Sequence, residues 1–390
     1  MLFDDTQVAF RSKTNLELRR AQLLFRLVAR QSLVRFGKWV TESFLRWGIP
    51  VSVFYRWSVF DHFCGGETVD DSRKVVDELH AQSVSSILHY SVEGSSQESF
   101  FDFTLEKTIE TIAFAANNPA VPFAVFKPTA YGSSSVFEKK SKGEALDVSE
   151  QKAWEKIQER YHKTCAFACQ HRVKLFIDAE ESWIQDAMDQ LSEQMMQKYN
   201  SDEVWIFHTI QMYRHDRLEY LQQLIGRAKQ QGFKIGVKLV RGAYIEKENA
   251  RAKKQQYPTP ICASKAATDE NFDAAVELIL NHLDSVALFY GSHNEASAYR
   301  LMELLTTKKI DPSHPHLWFG QLYGMSDHIS FNLAKAGFSV AKYVPYGPVK
   351  EVIPYLIRRA DENTSVGGQT SKELELIRKE IQRRKLKAAV

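Results

Sequence analysis

The chain has 390 residues, 44% of them hydrophobic and 25% charged, a composition typical of a globular protein with one large core or two ordinary ones. Its 51 Lys and Arg residues against 48 Asp and Glu give a net charge of only +3, with no basic stretch interleaved with aromatics, so nucleic acid is not expected as a partner. Four cysteines are too few for a disulfide framework and indicate a reducing, intracellular compartment. No apolar run reaches the roughly 18 residues of a membrane span, so we expect a soluble or peripherally membrane-associated protein without a transmembrane segment.

The first 65 residues are predicted to form a helical arm. Apolar residues recur at helical spacing over Asn15–Gly37, with arginines between them, and a second, aromatic-rich helical segment follows Gly48-Ile-Pro50 up to about Phe63. We favour an arm that packs on the main domain, and a helix on a membrane surface is the alternative. Residues 66–364 then form the main domain, and residues 365–390 a basic C-terminal helix.

From Gly66 onward, apolar or β-branched runs alternate with helical periodicity. Eight runs predict strands, and each is followed by a predicted helix. The runs are Ser86–Ser91, Pro122–Tyr131, Lys174–Glu180, Val204–Tyr213, Lys234–Tyr244, Ser285–Asn294, Leu317–Tyr323 and Phe338–Tyr346. Eight such units over roughly 280 residues favour an α/β fold of the (β/α)8 barrel type. A doubly wound open sheet is the alternative, but no G-x-G-x-x-G follows any of the runs.

One group of possible metal ligands lies on a predicted helix of this domain. His162, Cys165 and Cys169 share a face of it, whereas His171 falls about half a turn away. Three mixed ligands without a fourth make a weak zinc site, so we interpret the group as structural and predict no metal.

Reactive side chains cluster where the predicted strands end. In a (β/α)8 barrel these ends form the catalytic face. Lys127, Asp178, Lys238 and Arg241 would meet there, and burying four charges around one barrel mouth requires mutual pairing or a charged ligand. The sequence therefore predicts a site for a zwitterionic or phosphorylated ligand.

The helix predicted over Pro348–Thr364 carries a polar face. Tyr355, Arg358, Arg359 and Glu362 lie roughly opposite an apolar face. Two adjacent arginines beside a tyrosine suit a carboxylate or pyrophosphate, because guanidinium groups bind oxyanions bidentately. A plain solvated face is the alternative.

Two segments closely resemble the signature sequences of the proline dehydrogenase family. They are Val237-Lys-Leu-Val-Arg-Gly-Ala-Tyr244 and Tyr355-Leu-Ile-Arg-Arg-Ala-Asp-Glu-Asn363, and the strand ends at Phe126-Lys-Pro-Thr-Ala130, Ile177-Asp-Ala-Glu180, Ser292-His-Asn294 and Tyr343-Val-Pro-Tyr-Gly347 fall in the family's order. The resemblance implies a distorted barrel that binds FAD. We expect the binding to be non-covalent, because the strand ends follow in the family's order with no Cys or His in a flavin-attachment setting. It also implies oxidation of L-proline to Δ1-pyrroline-5-carboxylate, the first step of proline catabolism, with electrons passed to a quinone at a membrane surface. We expect the monofunctional form.

The resemblance also implies roles for individual residues. Asp178 and Lys238 are the expected catalytic pair, with Asp178 orienting Lys127 and Lys238 close to flavin N5, where the hydride from proline C5 arrives. The expected substrate contacts are Lys127, Tyr343, Tyr355, Arg358, Arg359 and Glu362. The expected cofactor contacts are Ala179, His208, Lys238, Val240, Arg241, Gly242, Ala243, Tyr244, Ser292, His293, Asn294 and Gln321.

Two positions depart from the family pattern, and three other functions remain open. His208 stands where a side-chain amide is expected, and Lys238 stands where many relatives have arginine. The alternatives are a 4-hydroxyproline dehydrogenase, a pyridoxal-phosphate barrel in which Lys127 forms a Schiff base, and a non-catalytic barrel that binds a ligand.

Overall fold

The computed structural model describes residues 2–28, 59–92, 97–365 and 369–387. Within these ranges, eight strands form a closed barrel and follow one another around it in chain order. The strands are β1 (Val84–Tyr90), β2 (Phe123–Phe126), β3 (Lys174–Ile177), β4 (Ile206–Gln211), β5 (Ile235–Val240), β6 (Val286–Gly291), β7 (Leu317–Leu322) and β8 (Val340–Tyr346). The successive pairs from β1 to β7 are parallel. The predicted (β/α)8 barrel is therefore confirmed.

Helices alternate with the strands around the barrel. Those of the described ranges are α1 (Thr6–Ala9), α2 (Asn15–Val28), α3 (Asp61–Phe63), α4 (Arg73–His80), α5 (Glu98–Ala116), α6 (Ser134–Ser141), α7 (Val148–Gln170), α8 (Ser182–Tyr199), α9 (Arg217–Gln231), α10 (Ile245–Gln255), α11 (Lys265–Leu280), α12 (Glu295–Lys308), α13 (Asp327–Lys335), α14 (Val349–Ser365) and α15 (Gln369–Lys387). Among them, no helix is both long enough and apolar enough to cross a bilayer.

Several strands end earlier than their apolar runs predict. The run Pro122–Tyr131 contains a strand only to Phe126, and Pro128–Ala130 form a short 3-10 helix. Pro128 has no backbone N–H to donate to a neighbouring strand, so the ladder stops before it. Lys127 and Asp178 therefore lie just beyond the last residues of β2 and β3, in the loops that follow these strands.

The interior of the barrel contains a layer of aromatic rings. Phe123 on β2 stacks on Phe176 on β3 at a centroid distance of 4.7 Å, and it contacts Phe289 on β6 edge to face at 5.5 Å. Phe207 on β4 and Trp318 on β7 join the same group. Because β2 and β6 are not neighbours in the sheet, these contacts cross the interior and identify which residues of each strand point inward.

The chain divides into two compact units. One comprises Met1–Ser86, Ser91–Glu93 and Gln321–Val390, and the other comprises Ile87–Tyr90 and Gly94–Gly320. The predicted division into an arm, a barrel and a C-terminal helix stays a prediction.

In the first unit, helix α2 packs against the C-terminal helix α15. Leu18 and Phe25 of α2 form an apolar cluster with Leu374, Leu376 and Ile377 of α15. The helix predicted over Asn15–Gly37 is described as far as Val28. The rest of it, and the second predicted helical segment up to residue 58, lie outside the described residues.

Candidate active site

A polar layer lies directly beyond the aromatic layer, towards the carboxyl ends of the strands. Side chains alternate between the two faces of a strand, so residues an even number of positions from an inward phenylalanine also point inward. The backbone remains extended at Lys127, and the Asp178 N–H still bonds to the Phe126 carbonyl, so the alternation continues past the last strand residue. The inward residues of this layer are Lys127, Asp178, Thr209, Gln211, Lys238 and Gly291.

Asp178 and Lys238 form a buried ion pair within the polar layer. The Lys238 ammonium donates to Asp178 Oδ1, and the two side chains are only 7% and 14% exposed. Lys238 Nζ also lies 5.2 Å from the centroid of the Phe176 ring below it. The structure thus joins the two predicted catalytic residues across β3, β4 and β5 and holds the lysine above the aromatic layer.

Glu180, which the sequence reasoning did not place in the site, fixes the loop that follows Lys127. Its carboxylate accepts hydrogen bonds from the Thr129 N–H at 2.8 Å and the Thr129 hydroxyl at 2.7 Å. Burial raises the pKa of Glu180 to about 7, and the positive charge of Lys127 opposes the shift. The sequence signal for Glu180 was its place in the run Asp178–Glu181, which directly follows β3.

Gln211 is the inward amide of β4. Its Nε2 donates to the Glu180 carbonyl at 2.6 Å and to the Tyr213 hydroxyl at 2.8 Å. Among the described residues, its buried Oε1 has no hydrogen-bond partner. A buried acceptor of this kind normally has a donor, so Gln211 offers one acceptor to a ligand inside the barrel.

His208 points the other way, which corrects the prediction that it contacts the cofactor. It follows the inward Phe207 and precedes the inward Thr209, so its ring lies on the outer face of β4. There its Nε2 lies 2.9 Å from Asp189 Oδ1 on α8. Burial alone would raise the pKa of Asp189, but its hydrogen bond with His208 and the charge of Arg217 hold that pKa well below its usual range. The side-chain amide that β4 directs into the barrel is that of Gln211.

A second group of predicted cofactor residues comes together after β5 and β6. Arg241 donates to Asp269 Oδ1 at 2.5 Å and to the Ser292 hydroxyl at 2.9 Å, and its guanidinium group lies 4.0 Å from the Phe272 ring centroid. The Ser292 hydroxyl also accepts from the Asn294 N–H at 3.1 Å. This arrangement ties the loops after two neighbouring strands to each other.

Most of the other predicted cofactor residues of this unit lie in or next to the same loops, and Ala179 lies in the loop after β3. Gly242 has a φ of +100°, a conformation that side chains rarely tolerate. A side chain at Gly291 would press on the Leu239 carbonyl, at 2.8 Å from the added carbon. Val240 is the last residue of β5, Ala243 and Tyr244 precede α10, His293 lies between β6 and α12, and Ala179 follows Asp178.

Predicted site residues of the first unit lie on β7, β8 and α14. Tyr343 is half-buried on β8, and its carbonyl accepts from the Tyr323 N–H at 2.9 Å. Gln321 Oε1 accepts from the Ser330 hydroxyl of α13 at 2.8 Å. Its contact with a cofactor stays a prediction.

Tyr355 does not lie on a polar face of α14 as predicted. It is buried in one apolar cluster with Val349, Val352 and Leu356 of the same helix and with Phe63. The backbone of α14 extends to Ser365, as the predicted helix requires. The side chains of Arg358, Arg359 and Glu362 lie outside the described part of the chain.

The first unit also contains a buried polar group that sequence reasoning missed. Lys342 on β8 is fully buried, donates to the Met325 carbonyl at 2.6 Å and pairs with Asp327 Oδ1 at 2.8 Å. Glu373 of α15 accepts from the Ser326 N–H at the start of α13. Burial raises the pKa of Glu373 to about 7, whereas the neighbouring His328 lowers it. Lys342 from β8 and Glu373 from α15 thus both bind the connection between β7 and α13.

The proline dehydrogenase family model matches residues 72–372. The chain belongs to the proline dehydrogenase family. It is therefore an oxidoreductase that acts on proline, and the family implies a flavin cofactor.

Similar proteins cover most of the chain. The carbapenem antibiotics biosynthesis protein CarD of Pectobacterium carotovorum subsp. carotovorum is 37% identical over 322 residues, which are 83% of this chain and 83% of that protein. Proline dehydrogenase 1, mitochondrial, of Dictyostelium discoideum is 33% identical over 86% of this chain and 66% of its own length. A hydroxyproline dehydrogenase of Xenopus laevis is 29% identical over 96% of this chain and 88% of its own length.

A solved structure shares the fold. Proline utilization A from Bdellovibrio bacteriovorus superposes with a TM-score of 0.70 at 21% identity, over 79% of this chain and 33% of its own chain. At this identity the likeness concerns the fold alone.

The inward residues fit a flavin. A flavin ring carries both hydrogen-bond donors and acceptors, and it becomes more negative on reduction. Gln211 Oε1 is a buried acceptor without a partner among the described residues, and Lys238 is a cation in the same layer. Gly242 leaves its backbone open to close approach, because nothing lies within 4 Å of the position that a side-chain carbon would take.

Proposed function

We propose that this chain oxidises L-proline to Δ1-pyrroline-5-carboxylate with non-covalently bound FAD as its cofactor, and that a quinone is the final electron acceptor. The observation that carries the proposal is the polar layer of Lys127, Asp178, Gln211 and Lys238 above the aromatic layer, in a chain of the proline dehydrogenase family. The bound flavin would supply the redox chemistry by accepting a hydride from proline C5 at N5. The chain supplies orientation and an electrostatic field.

The lysines of the layer have two roles in this proposal. Lys238 places a cation inside the barrel, which stabilises negative charge that develops on reduction. Asp178 orients that lysine through the buried ion pair. Lys127 and Lys238 together also disfavour a third cation nearby, so the substrate amine is favoured in its neutral form. Hydride leaves C5 more readily from the neutral amine than from the ammonium form.

Substrate recognition is assigned to the remaining residues by their resemblance to the family. We assign the proline carboxylate to Arg358 and Arg359, with help from Lys127, because guanidinium groups bind carboxylates bidentately. Glu362 would fix the arginine pair. Tyr343 and Tyr355 would limit the space around the ring carbons of the substrate.

The arginine assignment is tested by Arg358→Met and Arg359→Met. Each is expected to weaken proline binding by roughly 2–5 kcal/mol, because a bound carboxylate loses a charged partner. Arg73→Met, which removes an arginine that is 59% exposed, is the matched control. A KM for proline within about twofold of the parent for both variants would show that these arginines do not bind the carboxylate.

A visible absorption spectrum of the purified protein separates this function from its alternatives. Flavin bands support a proline or hydroxyproline dehydrogenase. A single aldimine band that is lost in Lys127→Ala would instead identify a pyridoxal-phosphate enzyme. Absence of any chromophore, together with no flavin binding on reconstitution with FAD, would identify a non-catalytic binding protein.

A further inference from the structure

Glu180 lies between the loop that carries Lys127 and the inward amide of β4. Its carboxylate accepts hydrogen bonds from the Thr129 N–H at 2.8 Å and from the Thr129 hydroxyl at 2.7 Å. Its backbone carbonyl accepts from Gln211 Nε2 at 2.6 Å. This residue, which is only 5% exposed, therefore contacts two parts of the proposed site, one through its side chain and the other through its backbone.

The carboxylate of Glu180 restrains the backbone at Lys127. Strand β2 ends at Phe126, and the chain then turns, because the Lys127 carbonyl accepts from the Ala130 N–H at 3.0 Å. Thr129 lies in the middle of this turn. Since Thr129 is held by two hydrogen bonds to a buried acceptor, the turn is fixed and the Lys127 side chain starts from a fixed point.

The backbone of Glu180 is itself held on both sides. Its N–H donates to Gln185 Oε1 of α8 at 2.9 Å, and Gln185 Nε2 donates to Asp189 Oδ1 at 2.7 Å. On the other side, Gln211 Nε2 uses both of its hydrogens, one for the Glu180 carbonyl and one for the Tyr213 hydroxyl. This leaves Gln211 Oε1 as the acceptor of the polar layer. These backbone contacts do not need the Glu180 carboxylate.

The charge of Glu180 is coupled to that of Lys127. Burial raises the pKa of Glu180 to about 7, and the charge of Lys127 opposes the shift. The other titratable groups that act on this site are Glu181, which raises the Glu180 pKa, and Tyr161 of α7, whose own pKa is raised by burial and by the Glu180 charge. A substrate carboxylate on Lys127 adds negative charge nearby, so it binds the protonated form of Glu180 more tightly.

We propose that Glu180 is a positioning residue for substrate binding, whose side chain holds the Lys127 loop while its backbone separately holds Gln211. The inference rests on the proposed function, because it takes Lys127 to bind the substrate carboxylate. It separates two effects. Loss of the Glu180 carboxylate is expected to weaken proline binding and to leave the surroundings of the flavin unchanged, whereas a merely structural role would disturb both or neither.

The test compares Glu180→Leu with a matched buried glutamate. Glu248 of α10 is 1% exposed and accepts from the N–H and the hydroxyl of Ser182, both at 2.6 Å, so Glu248→Leu removes the same kind of contact at the start of α8. Rapid-mixing reduction of the flavin by L-proline gives a Kd and a limiting rate for each protein. Glu180→Leu is expected to raise the Kd by roughly tenfold or more, with the flavin absorption bands of the parent. Glu248→Leu is expected to lower the thermal midpoint and to keep the parent's Kd.

Thr129 allows the same contact to be tested without changing Glu180. Thr129→Val loses one of the two hydrogen bonds and is expected to weaken proline binding by a smaller factor than Glu180→Leu. Thr129→Ser keeps both donors and is expected to match the parent. This pair decides the question even if Glu180→Leu does not fold.

Glu180→Gln tests the charge with cyclopentanecarboxylate as the probe. This probe has the ring size and carboxylate of proline but no amine, so its own charge stays constant between about pH 6 and about pH 8. Its Kd for the parent, measured by calorimetry, is expected to rise by roughly threefold or more over this range as Glu180 loses its proton. The rise is expected to be smaller in Glu180→Gln.

Three results would overturn the proposal. They are a folded Glu180→Leu variant with the parent's Kd for proline, an equal weakening in Glu248→Leu, and Thr129→Val binding proline as tightly as Thr129→Ser. Equal pH dependence of probe binding in parent and Glu180→Gln would also contradict it. If L-proline does not reduce the parent's flavin at all, the proposed function fails and the inference fails with it, which is distinct from proline reducing parent and variants with one Kd.

Discussion

Lys238 on β5 and Asp178 after β3 form an ion pair inside the barrel, and each is nearly enclosed by protein. One strand, β4, lies between them along the chain, and it contributes Thr209, whose hydroxyl lies 3.5 Å from Asp178 Oδ1. Removing one partner leaves the other as a buried charge without compensation, which is more costly than losing both.

The first prediction follows from the greater cost of removing only one of the two partners. Lys238→Met and Asp178→Asn are each expected to lower the free energy of unfolding, Lys238→Met by about 3–5 kcal/mol, and the double variant by less than the sum. Both single variants are also expected to slow flavin reduction by proline. Denaturant unfolding of all four proteins measures the coupling. Strictly additive effects would mean that the two groups act separately.

Gln211 and His208 provide a matched pair on opposite faces of β4. Gln211→Leu is expected to shift the flavin absorption bands and to reduce flavin retention at least tenfold, because the inward acceptor is lost. His208→Leu is expected to leave the flavin spectrum unchanged while lowering stability by roughly 1–3 kcal/mol, because Asp189 loses a buried partner. Spectra and thermal unfolding of the two variants check both statements. A spectral shift in His208→Leu alone would reverse the assignment of the two faces.

Tyr343 is predicted to set the preference for proline over trans-4-hydroxy-L-proline. A rigid ring beside the substrate excludes an added hydroxyl more strongly than a merely apolar pocket, which discriminates by only about a hundredfold. Tyr343→Ser is therefore expected to lower kcat/KM for proline and to raise it, relative to proline, for the hydroxylated substrate. Both substrates are compared with one artificial acceptor on variant and parent. An unchanged ratio would show that Tyr343 only closes the barrel top.

The buried carboxyl group of Glu373 is expected to make the free energy of unfolding depend on pH, independently of catalysis. Its pKa is about 7 in the folded chain, above its ordinary 4.5, so the folded state binds that proton more tightly. Its contribution to stability is complete below the ordinary pKa and is lost as pH rises to about 7. Charged groups that face it include His328, Asp327 and Lys342.

Glu373→Gln keeps a hydrogen-bond acceptor for the Ser326 N–H and cannot ionise. Relative to this variant, the parent is expected to lose up to about 3 kcal/mol of stability between about pH 5 and about pH 8. Denaturant unfolding at several pH values measures the difference. If the free energies of unfolding of parent and variant change in parallel with pH, the Glu373 pKa lies near its ordinary value.

The barrel could be predicted from sequence because its signals are local. Each strand is a short apolar run, and each helix has its own periodicity. Helix α7 even shows its start through Asp147 and Glu150, which form a capping box. The strand ends that carry Lys127, Asp178 and Lys238 follow directly from the strand positions, so the polar layer was predictable as well.

Which residues of β4 point into the barrel could not be predicted in the same way. Both of its faces are buried, so Phe207, His208 and Thr209 give no alternation of apolar and polar residues. Which face points inward is decided by ring contacts between Phe207 and residues of other strands. Similarly, Tyr355 is buried by side chains such as Phe63, almost 300 positions earlier in the chain. Local patterns carry no information about such distant partners.

The central claim is that this chain oxidises L-proline, and anaerobic titration of the flavin-loaded protein with L-proline tests it most directly. The flavin absorption near 450 nm is expected to bleach on addition of L-proline, with trans-4-hydroxy-L-proline reducing it more slowly. A flavin spectrum that stays unchanged with L-proline while the hydroxylated substrate or another amino acid reduces it would contradict the account.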